Sequence, residues 1–109
     1  MTLIFKRQHL DRIAGGEKTA TRRASRPMVK PGGIYRMKAG FFEYLPDRIR
    51  VLRIYPQRLS DMTSKDALKE GFTSPEEFRR EWTGIYRSWD DDQVAWVVEF
   101  EYLGSDRKL

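Results

Sequence analysis

The side chains best suited to chemistry lie at positions 15–23, which are Gly-Gly-Glu-Lys-Thr-Ala-Thr-Arg-Arg. A lysine, two hydroxyls and two arginines stand together here, and proteins use such groups for proton transfer and for binding anions. The preceding segment, 6–14, carries Leu10, Ile13 and Ala14 at helical spacing, and the glycine pair predicts the end of that helix. The polar groups would then stand at a helix end. Local composition alone favours an ordinary surface turn with solvated charges.

Length and composition predict the class of protein that must position these groups. The 109 residues suit a single domain over 1–109, with a flexible tail at 104–109. No apolar run approaches the ~20 residues of a membrane span, and the N-terminus lacks the apolar core of a signal peptide. We therefore expect a soluble, cytoplasmic protein with no membrane partner. The absence of cysteine excludes disulfides, thiolate catalysis and cysteine-based zinc sites.

The charged residues indicate which class of partner the protein could bind. There are 21 basic and 16 acidic residues, and the formal net charge of +5 favours polyanionic partners. Many basic proteins bind nothing anionic, so charge alone does not identify a function. The single histidine, His9, falls off the apolar stripe and is predicted to be solvated, and the three aspartates at 90–92 are typical of a solvated turn. We expect neither a metal nor a cofactor.

Alternating and helical patterns predict the remaining elements. Strands are expected at 34–38 and 48–55, with 41–45 as part of the hairpin between them, and the clearest strand pattern is at 94–102. Within the strand at 48–55 the apolar face changes after Val51, which predicts a β-bulge or a strand covered on both sides.

Two helices are predicted between these strands. Thr63 begins a capping box, and Gly71 ends the short helix that follows it. Ser74 and the proline after it begin the second helix. Four residues share one face of that helix and are predicted to be core: Phe78, Trp82, Ile85 and Tyr86. Glu70 stands at the C-terminal end of the first helix, where a carboxylate gains nothing from the helix dipole, and this unfavourable placement hints at function.

The motifs in their order resemble the ASCH domain, a PUA-like β-barrel family, over nearly the whole chain. The resemblance begins with the pattern Gly-x-Lys-x-x-Thr-x-Arg, formed by Gly16, Lys18, Thr21 and Arg23. This pattern is followed by a Pro-Gly turn and a strand, then by Lys-Glu-Gly-Phe and Ser-Pro-Glu-Glu-Phe, and finally by a strand with the sequence Trp-Val-Val-Glu-Phe. The resemblance implies an α+β fold, in which a small barrel of about five or six strands is flanked by two or three helices.

The resemblance also implies roles for individual residues. Small bacterial members look like acetylcytidine amidohydrolases, and their catalytic residues match Lys18, Thr21 and Glu70. A desolvated lysine can serve as a base, a threonine can attack or position water, and the glutamate can orient the lysine or move its proton. Arg22 and Arg23 would hold a carbonyl oxygen or a phosphate.

Other members of the family resemble RNA-binding modules, so of three possible functions we expect the first, with the second as its alternative. The first is binding of RNA or a nucleotide-like ligand in a basic cleft around 16–23, with Tyr86 or Trp89 stacking on a base. The second is hydrolysis of an acyl group from a modified nucleoside such as 4-acetylcytidine. The third is a protein-interaction domain with a solvated Lys18. A carboxylate facing Lys18 separates the first two, because a hydrolase needs it and an anion-binding module gains nothing from it. The sequence specifies no oligomeric state.

Overall fold

The structure is a computed structural model that describes residues 4–39 and 43–105. It shows an α+β fold with three α-helices and four strands in the described residues. In chain order the elements are α1 (Arg7–Ala14), β1 (Ala20–Arg23), β2 (Ile34–Lys38), β3 (Tyr44–Arg58), a 3-10 turn (Leu59–Asp61), α2 (Ser64–Lys69), α3 (Pro75–Tyr86) and β4 (Val94–Ser105). Among the described residues, no helix has the length and apolar character that crossing a membrane requires.

The strands form one antiparallel sheet in the order β1-β4-β3-β2. Over the described ranges the sheet has four strands and is not closed, so the predicted barrel of five or six strands is wrong in strand number and closure. From residue 4 onward, where the described residues begin, the chain start adds one parallel bridge, between Ile4 and Lys38. Phe41 and Phe42, which the sequence placed in the hairpin, lie outside the described residues, as does the predicted tail beyond Ser105.

A bulge in β3 accounts for the change of apolar face in the sequence. The register between β3 and β4 shifts between Val51 and Arg53, which leaves Leu52 without a partner in the ladder. Val51 is fully buried, whereas Leu52 is 47% exposed. The extra residue rotates the following side chains to the other face and increases the local twist. The predicted bulge is therefore confirmed.

Strand β4 contributes to two hydrophobic clusters because both of its faces are covered. Val98 and Phe100 belong to the first cluster, with Ile13 of α1, and Ala95 belongs to the second, with residues of α3. Residues an odd number of positions apart on a strand point to opposite faces. The sequence predicts one apolar face formed by every second residue from Val94 to Tyr102, and this alternation is only partly observed, since Val94 is exposed.

The helix ends follow the signals in the sequence. Thr63 and the residue three positions on complete a capping box at α2, and the Ser74 side chain accepts a hydrogen bond at the start of α3. After α1 the chain turns at Gly15 and Gly16, where Gly16 has a φ of 81° that glycine adopts without strain. The turn after α2 uses Gly71 in the same way.

We expect Gly71→Ala to lower the free energy of unfolding by about 1–2 kcal/mol, because a side chain in the left-handed region is strained. The φ of Gly71 is 88°, and a Cβ there would lie 3.3 Å from Arg12 Cδ and 3.4 Å from Lys18 Cβ. Gly84→Ala is the matched control: Gly84 lies inside α3 with no atom near its Cβ position, so alanine should stabilise by up to about 1 kcal/mol. Urea denaturation measures both, and equal effects would contradict the strain argument.

Candidate functional site

A cavity of about 760 Å³ lies between α1, β1 and α3. Its floor is charged and is formed by Lys18, Thr21, Arg22, Arg23 and Glu70. One wall is largely aromatic and includes Phe72, Phe78, Trp82 and Tyr86, and residues of α1 and Glu81 of α3 also line the cavity. Such a shape suits a ligand with a flat apolar body and a polar reacting end.

Lys18 is brought to the floor by the turn that follows α1. The backbone N–H of Lys18 donates to Arg12 O at 3.0 Å, and the N–H of Thr19 donates to Lys69 O at 2.7 Å. The second of these bonds places the C-terminal end of α2 beside β1. Glu70, the residue that ends α2, therefore lies next to Lys18 although 52 positions separate them.

Lys18 is 3% exposed, and its amine donates three hydrogen bonds. The acceptors are Ala20 O and Glu70 O, each at 3.0 Å, and Glu70 Oε1 at 3.1 Å. Burial lowers the pKa of Lys18 below its usual value of 10.5, although the charge of Glu70 opposes this shift. A lysine with a lowered pKa gives up its proton more readily than one in water.

Glu70 lies between two buried cations. Its Oε1 accepts from Lys18, and its Oε2 accepts from Arg22 Nη1 at 2.8 Å. Arg22 is fixed in turn by Gln57 Oε1, which accepts from Nε at 3.1 Å and from Nη2 at 2.7 Å, and Asp66 lies 3.7 Å from Nη2. Since Arg22 is already engaged by protein oxygens, it holds Glu70 in place and has little left to offer a ligand.

Arg23 differs from Arg22 in its partners. Its Nε donates to Thr21 Oγ1 at 3.3 Å and its Nη2 donates to Ile4 O at 2.8 Å. Among the described residues no carboxylate lies within 4.0 Å of it, and burial lowers its pKa. Thr21 Oγ1 accepts this bond, and within the same residues its own proton has no acceptor. Within the described residues, the Arg23 guanidinium therefore has no carboxylate partner, and it lies beside the Thr21 hydroxyl, whose proton is free to be donated.

His9 is part of the cavity, so its prediction as a solvated residue is wrong. It is 7% exposed, its Nε2 lies 3.3 Å from Glu81 Oε1, and its ring meets Phe72 edge-on. Burial, followed by the charge of Lys18, lowers the pKa of His9 below 6.5. The signal was present in the sequence: His9 precedes Ile13 by four residues, which places both on one helix face.

The structure brings together most, but not all, of the residues that the sequence selected. Lys18, Thr21, Arg22, Arg23, Glu70 and Tyr86 line the cavity. Gly16 does not line it and serves the turn after α1. Trp89 lines a separate, smaller pocket. The Arg79 guanidinium carbon lies 5.0 Å from the centroid of the Trp89 ring, and Trp89 Nε1 donates to Asp91 Oδ1 at 2.7 Å.

Comparison with solved structures relates this fold to known proteins. No family model matches the sequence, and no curated protein matches it. An ASCH domain from Lactobacillus crispatus is similar with a TM-score of 0.71 at 14% identity, over 86% of this chain and 69% of that one. An ASCH protein variant from Zymomonas mobilis is similar with a TM-score of 0.67 at 15% identity, over 92% of this chain and 67% of that one.

The chain has an ASCH-like fold. A protein of Enterococcus faecalis shares it with a TM-score of 0.68 at 21% identity, over 92% of this chain and 69% of that one. The ASCH-like fold supports the predicted PUA-like class, with the open four-stranded sheet described above. At these identities the similarity establishes the fold alone, so the function must be argued from the cavity.

Proposed function

We propose that this protein hydrolyses the amide that joins an acyl group to the base of a modified nucleoside such as 4-acetylcytidine. One observation carries the proposal: in the cavity floor, Glu70 Oε1 lies 3.1 Å from Lys18 Nζ, and the two side chains are each 3% exposed. A carboxylate here repels an anionic ligand, which a pure binding module would avoid. A hydrolase, in contrast, uses it as a partner for proton transfer.

The pair of Lys18 and Glu70 supplies the base. As an ammonium, Lys18 donates all three N–H groups to oxygen and has no lone pair to offer. Transfer of one proton to Glu70 leaves a neutral amine, and the burial that lowers the pKa of Lys18 favours this form. The pair can therefore take up one proton from a nucleophile and return it to a leaving group.

Thr21 supplies the attacking oxygen in this proposal. Its Oγ bonds to the acyl carbon while its proton passes to Lys18, and the developing oxyanion is stabilised by the Arg23 guanidinium. The carbon–nitrogen bond then breaks as the proton moves to the leaving amine. Water hydrolyses the resulting ester of Thr21, which releases the carboxylic acid and restores the hydroxyl.

Hydrolysis of 4-acetylcytidine tests the proposal. We expect the purified protein to release cytidine, detected by chromatography, and Thr21→Val to slow the release by at least about 100-fold because the nucleophile is lost. The matched control is Thr19→Val, since Thr19 lies outside the cavity lining and, among the residues that the structure describes, only its backbone makes hydrogen bonds. No release by the wild-type protein would refute the proposed substrate, and full activity of Thr21→Val would refute the role of Thr21.

Binding of RNA or a nucleotide is the second candidate function. It is favoured by the net charge of +5 and by Arg23, whose guanidinium has no carboxylate partner in the described part of the chain. If 4-acetylcytidine is not converted, affinity for an RNA oligonucleotide that falls steeply with salt would support this function. A protein-interaction domain is not supported, because it predicts a solvated Lys18 and this lysine is buried.

A further inference from the structure

The buried guanidinium of Arg22 contacts Glu70 through one nitrogen only. Its Nη1 donates to Glu70 Oε2 at 2.8 Å, and Glu70 Oε1 is left to Lys18 Nζ at 3.1 Å. An arginine beside a carboxylate often pairs with both oxygens at once, because its fork of N–H groups matches their spacing. The Arg22 side chain is 2% exposed, so the protein and not solvent has to supply its other acceptors. The orientation of Arg22 must therefore come from another protein group.

That group is Gln57 of β3. Gln57 Oε1 accepts from Arg22 Nε at 3.1 Å and from Nη2 at 2.7 Å, so it occupies the side of the guanidinium that carries these two nitrogens. The strand register brings the two residues together. Arg22 is opposite Val97 of β4, which is opposite Tyr55, and Gln57 is two positions further along β3. Residues opposite one another share a face of the sheet, as do residues two apart on a strand, so Arg22 and Gln57 lie on the same face.

The amide of Gln57 is itself held in one orientation. Its Nε2 donates to Asp66 Oδ2 at 3.4 Å, and the same oxygen accepts from the backbone N–H of Thr63 at 2.9 Å. Although burial raises it, the hydrogen bonds with Thr63 hold the pKa of Asp66 below its usual value. The ionised Asp66 side chain can only accept, so the NH₂ group of Gln57 faces Asp66 and its oxygen faces Arg22.

We propose that Gln57 is a positioning residue that divides the Glu70 carboxylate between the two buried cations. Because Gln57 holds Arg22 at Nε and Nη2, Arg22 reaches Glu70 through Nη1 alone. Oε1 of Glu70 then stays with Lys18. Gln57 does not line the cavity, so it acts through Arg22 and not on the ligand. This role rests on the proposed function, in which Lys18 Nζ passes a proton to Glu70 Oε1.

Without the Gln57 amide, Arg22 would pair with both oxygens of Glu70. Its Nε and Nη2 would lose their acceptor inside the protein, and a buried donor without an acceptor costs free energy. Rotation of the guanidinium onto both oxygens of Glu70 restores the lost hydrogen bonds, at the expense of the one from Lys18. The charge of Glu70 and this hydrogen bond oppose the effect of burial on Lys18, so weakening them lowers the pKa of Lys18 further.

Gln57→Met tests this role, because it keeps the length of the side chain and removes its acceptor and its donor. NMR of protein labelled at its lysine side chains follows the titration of Lys18, whose signal is identified by its absence in Lys18→Met. We expect the midpoint for Lys18 to move to lower pH in Gln57→Met. An unchanged or higher midpoint would overturn the assignment, because Arg22 would then have stayed in place or turned to Asp66. The charged and titratable groups of the described residues that face Lys18 all remain in this variant: Glu70, Arg22, Arg23 and His9.

Gln57→Glu is the second variant, since a carboxylate accepts from Nε and Nη2 of Arg22 as the amide oxygen does. Its midpoint for Lys18 should lie at or above that of the wild-type protein. A lower midpoint would overturn the assignment even if Gln57→Met did not fold. Gln93→Met is the control, because Gln93 lies outside the cavity lining and, within the described residues, only its backbone makes hydrogen bonds. An equal fall in both methionine variants would show a general effect and would overturn the role of Gln57.

Kinetics with 4-acetylcytidine separate positioning from substrate binding. Gln57→Met should lower kcat by roughly tenfold or more, because the proton acceptor of Lys18 is displaced, and should leave KM within about twofold. A higher KM with unchanged kcat would contradict a positioning role, since Gln57 does not line the cavity. No hydrolysis by the wild-type protein would refute the proposed function, whereas the titration of Lys18 tests Gln57 with or without activity.

Discussion

Lys18→Met is expected to slow hydrolysis of 4-acetylcytidine by roughly 10⁴-fold, since it removes the proposed base while keeping a side chain of similar length. Lys18→Arg should be equally inactive, because a guanidinium keeps its proton at any pH at which the protein is folded. Lys69→Met provides the matched control: Lys69 precedes Glu70 in the chain, but its side chain is 51% exposed and pairs with Glu99. Substantial activity in Lys18→Met would exclude Lys18 as the base.

The pH dependence of hydrolysis by the wild-type protein is a second test of the role of Lys18. Burial lowers the pKa of Lys18 below 10.5, so kcat/KM should rise with pH through a midpoint lower than that of a free lysine. Stability should change in the same direction. Between the folded pKa and 10.5 the unfolded chain binds more protons than the folded one, so the free energy of unfolding increases with pH across this window. Lys18→Met removes the contribution of Lys18 to both effects.

Local signals in the sequence predicted local structure well. The glycine pair after α1, the capping box at Thr63 and the proline after Ser74 each determine a helix end through the residues nearest to it. The number of strands was not predicted correctly, because closure of a sheet depends on pairing between distant segments. At the chain start only a single bridge from Ile4 to Lys38 forms within the described residues.

The candidate site also depends on contacts between distant segments of the chain. Nothing in the spacing of Lys18 and Glu70 reveals their contact, and only the resemblance to a family joined them. His9 was misplaced because the helix pattern was judged on its aliphatic residues, whereas His9 packs against Phe72 and contacts Glu81, which both lie far along the chain. Tyr86 and Trp89 were equivalent candidates in the sequence. Arg87, with a φ of 69°, turns the chain after α3 and leaves Trp89 outside the cavity.

Glu70→Gln is expected to lower the free energy of unfolding by about 3–5 kcal/mol, the usual effect of removing one partner from a buried ion pair. Lys18 and Arg22 would remain buried with their shared carboxylate gone. The glutamine side chain keeps one oxygen that can accept a hydrogen bond. Its NH₂ group is a donor and would face the donor group of either Lys18 or Arg22, so one of these two hydrogen bonds would be lost. Glu101→Gln is the control: it removes an ion pair with Arg50 in which the two side chains are 45% and 44% exposed, and it should cost about 1 kcal/mol or less.

A double variant distinguishes charge from packing as the cause of that loss. In Glu70→Gln with Lys18→Met, one of the two uncompensated cations is gone, so urea denaturation should show a more stable protein than Glu70→Gln alone, by at least about 1 kcal/mol. If the two losses simply add, the pair of Lys18 and Glu70 is not coupled. A coupled pair at the cavity floor would mean that burial of Lys18 depends on the carboxylate of Glu70, the group to which we propose that Lys18 passes a proton.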